Sequence, residues 1–438
     1  MTWMNPRSPA GALLLLVAAA VMPSPGVADE GDPPAPAPAG PAEEPASAGA
    51  PPLRTIEQAW NRMEALRQAP LSSPGLFLRR RERIRKLATD ALALPEAKGA
   101  AGEDLFRLSA LAFEAERYPE AGDCAARYLA GGGKEPLPHA GQAHATRVRA
   151  LARLGKFEEA DGALKAWREA MPKAEGIPPV LKTLGDAFVA AGKVEESLAR
   201  YREAFDRASR PLKAAAATVV QGLVEALVAT GRAEEATRAV KKAREDSDGS
   251  EAFVARLDAM ERRLRWTGEP FPLPKLELWC GAAAPEPAAL EGKVVAWHFF
   301  AWWMEARLGD LDAWTARAAA GTEKGFLLFP VTRFSGWDTK AGRFDPYRKP
   351  GEEFPGIEGL LKARGWKGPF AVAAREGRAF DDLGIRGLPM DIVVGRDGKV
   401  LFAQAGEEAG PALARWVAER ALAAPAPPPP GPPRPESR

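Results

Sequence analysis

Apolar residues recur every three or four positions through much of the chain. From residue 53 to about residue 266 this spacing is sustained, with few runs of β-branched residues. A spacing of three and four places apolar side chains on one face of an α-helix. The pattern therefore predicts helix after helix in this region.

A short turn recurs between these predicted helices. A glycine, a basic residue, an apolar residue, two glutamates and a small residue follow one another at 155–160, 192–197 and 231–236, and a related segment occupies 116–121. The last positions, 121, 160, 197 and 236, are 39, 37 and 39 residues apart. A glycine can end one helix in the left-handed conformation, and glutamates favour the N-terminus of the next. The segment is predicted to be a helical repeat.

The pattern changes after residue 274. A turn at Gly292 precedes an apolar, β-branched and aromatic run at 294–299, which predicts a buried strand that leads into a helix from about Met304. The remaining predicted elements are a strand at 326–331, a long insertion at 332–368 with a short helix at 356–364, an apolar run at 370–373, a helix around 379–383, an apolar segment at 387–394, a hairpin turn at 395–400 and a closing helix at 411–423. This order predicts an α/β domain.

The repeated turns and the residues that flank them, such as 184–188 and 201–205, resemble tetratricopeptide helical hairpins over about four units. The resemblance implies a curved solenoid whose concave face holds peptide or protein partners. A spacer that only positions the C-terminal domain is an equally weighted alternative.

The stretch Leu-Glu-Gly-Lys-Val-Val-Ala-Trp-His-Phe-Phe-Ala-Trp-Trp at 290–303, with Gly-Ile-Arg-Gly-Leu-Pro-Met at 384–390, resembles the thioredoxin-like fold. It is most similar to the extracytoplasmic thiol:disulfide oxidoreductases. The expected fold class is therefore multidomain: an all-α tetratricopeptide-like solenoid followed by an α/β thioredoxin-like domain.

The chain departs from that family where the family carries its Cys-x-x-Cys pair. The four corresponding positions are Met304, Glu305, Ala306 and Arg307. Thiol exchange needs a thiolate, which neither Met304 nor Arg307 can supply. Dithiol chemistry is therefore excluded at this site by composition.

The resemblance also implies a peptide groove beside these positions. Pro389 matches the family's proline after a cis peptide bond, Leu388 would offer its backbone to an extended peptide, and Trp303 is the tryptophan before the missing pair. His298 takes the place of a buried acidic or amide side chain in the family. Without cysteines to serve, it is predicted to be a hydrogen-bonded core histidine.

Only two cysteines are present, and they lie in different predicted domains. Cys124 and Cys280 are expected to stay unpaired because disulfide geometry is strict. Cys280 is the one candidate reactive thiol, although a structural thiol is favoured. The sequence predicts no metal site and no cofactor.

The two ends of the chain differ from its interior. Residues 1–28 contain Arg7, an apolar block at 10–22 and small residues before Ala28, which predict a signal peptide and an extracytoplasmic protein. The predicted boundaries are a disordered linker at 29–52, the repeat domain at 53–266, a proline-rich linker at 267–274, the thioredoxin-like domain at 275–424 and a disordered tail at 425–438.

The leading hypothesis is an exported, redox-inactive binding protein with peptide or protein partners. A net charge of +2 gives no reason to expect nucleic acid, and a membrane contact is expected only through an uncleaved N-terminal segment. One alternative is a thiol-dependent oxidoreductase or peroxidase that uses Cys280, and another is a structural envelope component. The sequence leaves open whether the protein is an enzyme, and it favours a role without catalysis. It does not fix the partner or the oligomeric state.

Overall fold

A computed structural model describes residues 52–69, 74–132, 137–304, 308–321, 325–339, 343–345, 347–375, 378–383, 385, 387–405 and 409–425. The predicted signal peptide at 1–28 and nearly all of the two predicted disordered segments lie outside these residues. So do Glu305, Ala306 and Arg307 of the degenerate Cys-x-x-Cys positions.

The regular elements of the described part of the repeat region are helices, apart from short 3₁₀ turns and one β-bridge between Leu212 and Ser247. Eleven α-helices are described there: α1 (Ile56–Gln68), α2 (Pro74–Leu92), α3 (Glu103–Glu114), α4 (Tyr118–Ala130), α5 (Ala140–Arg153), α6 (Phe157–Ala170), α7 (Ile177–Ala190), α8 (Val194–Arg207), α9 (Ala217–Ala229), α10 (Ala233–Glu245) and α11 (Glu251–Trp266). The hairpins α3–α4, α5–α6, α7–α8 and α9–α10 pack together. Each of the four predicted turns lies inside one of these hairpins, so the predicted solenoid is confirmed.

The turns have the backbone conformation that the sequence predicts. Gly155, Gly192 and Gly231 have φ angles of +70°, +76° and +80°. Glu116 occupies the same place in the first hairpin, with a φ angle of +59°. A left-handed residue at the end of a helix lets the next backbone N–H bond back to the helix, as Lys193 N does to the carbonyl oxygen of Phe188 at 2.9 Å.

Close helix packing in the solenoid depends on small residues. The alanines that end the repeated turn at 121, 160 and 236 are fully buried. In the third hairpin the Tyr201 ring of α8 lies between Gly185 of α7 and Gly222 of α9. A Cβ atom added at either glycine would lie only 2.7 or 2.8 Å from the ring. Side chains larger than hydrogen are therefore excluded at both positions.

The odd-numbered helices form the inner layer of the solenoid. Each of α1, α3, α5, α7, α9 and α11 packs against the next in this series. The even-numbered helices pack outside them as the second members of the hairpins. This two-layered arrangement is that of a helical-repeat solenoid.

The C-terminal part is an α/β domain. Its described strands are β1 (Leu278–Cys280), β2 (Val294–Phe299), β3 (Phe326–Arg333), β4 (Trp337–Asp338), β5 (Arg343–Phe344), β6 (Phe370–Ala373), β7 (Met390–Val394) and β8 (Val400–Ala405), and its helices are α12 (Pro287–Leu290), α13 (Gly309–Gly321), α14 (Pro350–Ala363), α15 (Ala379–Asp382) and α16 (Gly410–Ala423). Six strands form one sheet in the order β1-β6-β3-β2-β7-β8. Strands β2, β3 and β6 are parallel, and β1, β7 and β8 are antiparallel to their neighbours. The domain is thioredoxin-like.

Two predicted boundaries in this domain are wrong. Met304 is not helical, and the described helix begins at Gly309. The helix in the insertion begins at Pro350 and not at residue 356. A proline at the first position of a helix costs no hydrogen bond, and the two glutamates that follow favour the helix N-terminus.

The two domains share one hydrophobic core. Helix α16 packs against α7 and α9, and β8 contacts α9 and α11. One apolar cluster therefore runs from Leu223 and Leu227 of α9 to Leu413 and Val417 of α16. The inner face of the solenoid at α7 and α9 is covered by the C-terminal domain of the same chain.

The linker between the domains forms backbone hydrogen bonds with β8, the strand at one lateral edge of the sheet. Gly268 N donates to the carbonyl oxygen of Val400 at 2.8 Å, and Val400 N donates to the carbonyl oxygen of Glu269 at 2.9 Å. The Phe271 ring packs against Trp297 with 5.5 Å between ring centroids. The linker thus protects the exposed edge of β8 by backbone pairing.

Candidate functional site

Three parallel strands have their carboxyl ends on the same side of the sheet, and this side is the edge meant below. These carboxyl ends are Phe299 of β2, Arg333 of β3 and Ala373 of β6. Strand β7 begins at this edge, because Met390 pairs with Phe299 in antiparallel register. Pro389 therefore lies beside the end of β2, and its bond to Leu388 is cis as the resemblance predicted.

The residues after β2 extend this edge. Trp302 is 4% exposed, whereas Trp303 and Met304 are half-buried. Leu388 is also half-buried, and Gly387 is exposed. The described residues predicted for the groove, Trp303, Leu388 and Pro389, thus lie on the segments that meet at this edge. Their role as a groove stays a prediction.

The insertion folds over this edge. Strands β4 and β5 form a hairpin in which Trp337 pairs with Phe344. The Phe344 ring packs edge-on against Trp303, with 5.9 Å between ring centroids, and against Trp337 at 5.0 Å. Phe344 is nevertheless 37% exposed, and Tyr347 just beyond it is 90% exposed. We call Trp303, Met304, Phe344 and Tyr347 the aromatic surface.

A fully buried carboxylate holds the insertion in place. Glu353, in the first turn of α14, accepts a hydrogen bond at Oε1 from Trp302 Nε1 at 2.9 Å. The same oxygen accepts from the backbone N–H and the hydroxyl of Ser335 at 2.7 and 2.8 Å. Oε2 accepts from Gly336 N at 2.8 Å and lies 3.8 Å from the Arg375 guanidinium. Trp302 follows β2, Ser335 and Gly336 follow β3, and Arg375 follows β6.

Sequence reasoning missed Glu353. The two glutamates after Pro350 indicate a helix N-terminus, but that signal does not separate the exposed Glu352 from the buried Glu353. The partners of Glu353 are 17 to 51 residues away in the chain. Only the folded chain brings them together.

A second buried polar group lies within the sheet. His298 is fully buried, and its Nδ1 lies 2.7 Å from Asp391 Oδ1 on the neighbouring strand. Trp314 Nε1 of α13 donates to the same oxygen at 2.9 Å. Burial, and then the charge of Asp391, raises the pKa of Asp310 in the first turn of α13. The prediction that His298 is a hydrogen-bonded core residue is confirmed.

The one candidate thiol lies four strands away from β7, which Pro389 precedes. Cys280 is in β1, the strand at one lateral side of the sheet, and pairs with Phe370 of β6. Four strand spacings separate β1 from β7, which is about 19 Å at about 4.8 Å each. Burial and then the nearby Glu358 carboxylate raise the pKa of Cys280, which lowers its thiolate fraction. The fold does not bring Cys280 to Pro389.

The other cysteine is a buried residue of the repeats. Cys124 lies in α4, and burial raises its pKa. Both thiols are free. Within the described ranges, no three His, Cys, Asp or Glu side chains are grouped so that they could hold a metal ion. No described helix is long and apolar enough to span a bilayer.

No protein-family model matches the chain, and no curated protein matches it. Among solved structures it is similar to a thioredoxin-family thiol:disulfide interchange protein from Chlorobium tepidum TLS, with 21% identity and a TM-score of 0.27 over 35% of this chain and 97% of that chain. The thioredoxin domain of a thiol-disulfide oxidoreductase from Bacteroides vulgatus matches with 15% identity and a TM-score of 0.26, over 35% of this chain and 97% of that one.

A tetratricopeptide-repeat protein from Thermus thermophilus is also similar, with 16% identity and a TM-score of 0.31 over 47% of this chain and 99% of that chain. All three TM-scores are low. The helical hairpins and the strand order described above carry the fold assignment by themselves.

Proposed function

We propose that the protein is an exported binding protein whose thioredoxin-like domain exchanges no thiols and presents the aromatic surface to an extended segment of a partner protein. One observation carries this proposal. Phe344 is 37% exposed on a hairpin through which it packs against Trp303, and Tyr347, just beyond the hairpin, is 90% exposed. Exposed aromatic side chains on a fixed support are typical of protein-binding surfaces.

The position of the aromatic surface supports a peptide-like ligand. Ligands of open α/β sheets bind outside the carboxyl ends of the parallel strands. Trp303 follows β2, and Phe344 and Tyr347 lie in the insertion that follows β3. The exposed Gly387 and half-buried Leu388 begin the segment that enters β7 at the same edge. Apolar side chains of an extended segment would complement this aromatic lining.

The inner face of the solenoid is the competing location for a partner. At α7 and α9 that face already packs against α16 and β8. A partner segment would have to displace the apolar core shared by the two domains to bind there. We therefore assign partner binding to the aromatic surface and support of the C-terminal domain to the repeats.

Binding is tested by fluorescence anisotropy with short labelled peptides in which leucine or phenylalanine alternates with serine. We expect these peptides to bind the full chain and all-serine peptides not to bind. Phe344→Ala combined with Tyr347→Ala should weaken binding at least about ten-fold, the usual effect of losing central aromatic anchors. Leu154→Ala is the matched control, because Leu154 is 38% exposed on the repeats.

Equal losses from the control and from the aromatic variant would contradict the assigned surface. Failure of every peptide to bind, together with the absence of any crosslinked partner, would favour the structural-component hypothesis instead.

The absence of thiol chemistry is tested separately. Met304 stands at the first cysteine position, and Cys280 lies in β1, four strands from β7, with a raised pKa. We expect no turnover in an insulin-reduction assay and no peroxide consumption that depends on Cys280. Turnover that Cys280→Ser abolishes would establish the oxidoreductase hypothesis. Export is tested by the mature N-terminus, which is expected directly after Ala28.

A further inference from the structure

Glu353 lies where three segments of the candidate site meet. Its carboxylate is fully buried, and its partners are Trp302 after β2, Ser335 and Gly336 after β3, and Arg375 after β6. One side chain thus connects the carboxyl ends of all three parallel strands.

An ionised carboxylate is the group that fits these partners. All the groups that form hydrogen bonds with the Glu353 carboxylate are donors: the Trp302 indole, two backbone N–H groups and the Ser335 hydroxyl. A carboxylate only accepts hydrogen bonds and offers about four lone-pair positions. A glutamine amide has the same size, but its NH₂ group would face one of these donors.

The contacts lead from Glu353 to both sides of the aromatic surface. On one side Trp302 directly precedes Trp303. On the other side Gly336, which is held by Oε2, accepts a hydrogen bond from Asp345 N at 2.7 Å. That bond closes the base of the hairpin directly next to Phe344.

Gly336 leaves this loop little freedom. Its φ angle is +81°, which favours glycine. A Cβ atom at this position would overlap the carbonyl oxygen of Asp345 and the Arg375 guanidinium. The loop between β3 and the hairpin therefore fits closely between Glu353 and Asp345.

We propose that Glu353 is the positioning residue of the aromatic surface: its carboxylate fixes the insertion so that Phe344 packs against Trp303 and Tyr347 stays exposed. This inference rests on the proposed function for its binding consequence. Its conformational consequence is independent of any ligand. Glu353 is buried and acts through Trp302 and Gly336 rather than by touching the partner.

The conformational consequence is measured by hydrogen exchange of the full chain without peptide. Glu353→Gln should speed exchange of the Ser335, Gly336 and Asp345 amides by at least about ten-fold, since their hydrogen bonds depend on the carboxylate. Amides of the solenoid should be unchanged. Glu352→Gln is the matched control, because Glu352 is the exposed neighbour on the same helix.

The binding consequence is measured with the alternating leucine–serine peptide. Glu353→Gln is expected to weaken binding by about ten-fold, and Glu352→Gln to leave it unchanged. A double-mutant cycle with Phe344→Ala separates positioning from a general loss of stability. If Glu353 acts through the hairpin, the double variant loses little more affinity than Phe344→Ala alone.

Fully additive losses, or unchanged exchange at Ser335 and Gly336, would overturn the proposal. If Glu353→Gln does not fold, Ser335→Ala decides the question, because it removes one donor and leaves the carboxylate; faster exchange at Gly336 and Asp345 is then expected. If the unmodified chain binds no peptide, the proposed function fails while the exchange measurement still decides the role of Glu353.

Discussion

At the scale of the residue, burial changes the chemistry of Glu225. This side chain of α9 is 6% exposed and accepts a hydrogen bond from Gln221 at 2.7 Å. Loss of hydration raises its pKa from 4.5 to about 7, although Arg263 of α11 and Lys182 of α7 attract the charged form. Asp186 of α7 adds a smaller repulsion. The repeat core thus contains a carboxyl group that is costly to ionise.

The raised pKa predicts the direction of a pH effect. Between about pH 4.5 and about pH 7 the folded chain keeps a proton that the unfolded chain has released, so the free energy of unfolding falls as the pH rises. The full decrease in the free energy of unfolding is on the order of 3 kcal/mol. Glu225→Gln should remove this dependence. As the pH rises from about 5 to about 8, the free energy of unfolding of the variant should therefore gain about 2–3 kcal/mol relative to that of the unmodified chain.

Urea denaturation at several pH values measures this difference. Glu196→Gln, at an exposed glutamate of α8, is the control and should keep the pH dependence of the unmodified chain. An identical slope in Glu225→Gln would show that the carboxyl group titrates normally.

At the scale of the element, the hairpin turns decide how the solenoid is built. Three of the four turns use glycine in the left-handed region, whereas Glu116 takes that conformation in the first. The Glu116 carboxylate binds Arg85 and Arg81 of α2. The first turn thus combines an unfavourable backbone conformation with ion pairs that reach α2.

The turn glycines and a helical glycine should respond oppositely to alanine. Gly192→Ala is expected to destabilise the chain by about 1–2 kcal/mol, because a Cβ atom is disfavoured at positive φ. Gly162→Ala, inside α6, should stabilise it by about 0.5–1 kcal/mol by restricting the unfolded chain. An added Cβ meets open space at both positions, so the backbone alone sets the sign.

Chemical denaturation of both variants provides the comparison. Effects of the same sign would mean that something other than the φ angle controls these positions.

At the scale of the whole molecule, the two domains share apolar packing and backbone hydrogen bonds. Leu401 of β8 and Trp416 of α16 pack against the apolar cluster that the repeats share. The linker covers the β8 edge through hydrogen bonds of Gly268, Glu269 and Phe271. Separation of the domains would expose apolar side chains and a strand edge at the same time.

We therefore expect the full chain to unfold in one transition, with tryptophan fluorescence and far-ultraviolet circular dichroism changing together. A fragment of residues 275–425 should be less stable than the full chain and should self-associate in size-exclusion chromatography. A fragment of residues 267–425 retains the linker and should self-associate less. Two separate transitions in the full chain would argue against the shared core.

The sequence determined the features that depend on neighbours in the chain. The period of the turns predicted the hairpins, because a turn glycine and the glutamates after it act within one or two helical turns. The run at 294–299 predicted β2, and the residue types at positions 304 and 307, methionine and arginine, excluded a thiolate there. The core role of His298 was implied by the resemblance, because the family's buried polar side chain at this position has no cysteines to serve in this chain.

Only the tertiary structure decided how the candidate site is built and where the domains lie. The partners of Glu353 come from three loops up to 51 residues away, and no local pattern marks a glutamate that such distant donors will surround. The placement of α16 on α7 and α9 likewise depends on the match of two apolar faces. Periodicity shows that each helix has an apolar face, but it does not show which faces pack together. Contacts between residues a few positions apart can be predicted from sequence. Contacts between distant segments depend on how the whole chain packs, because each segment has many possible partners.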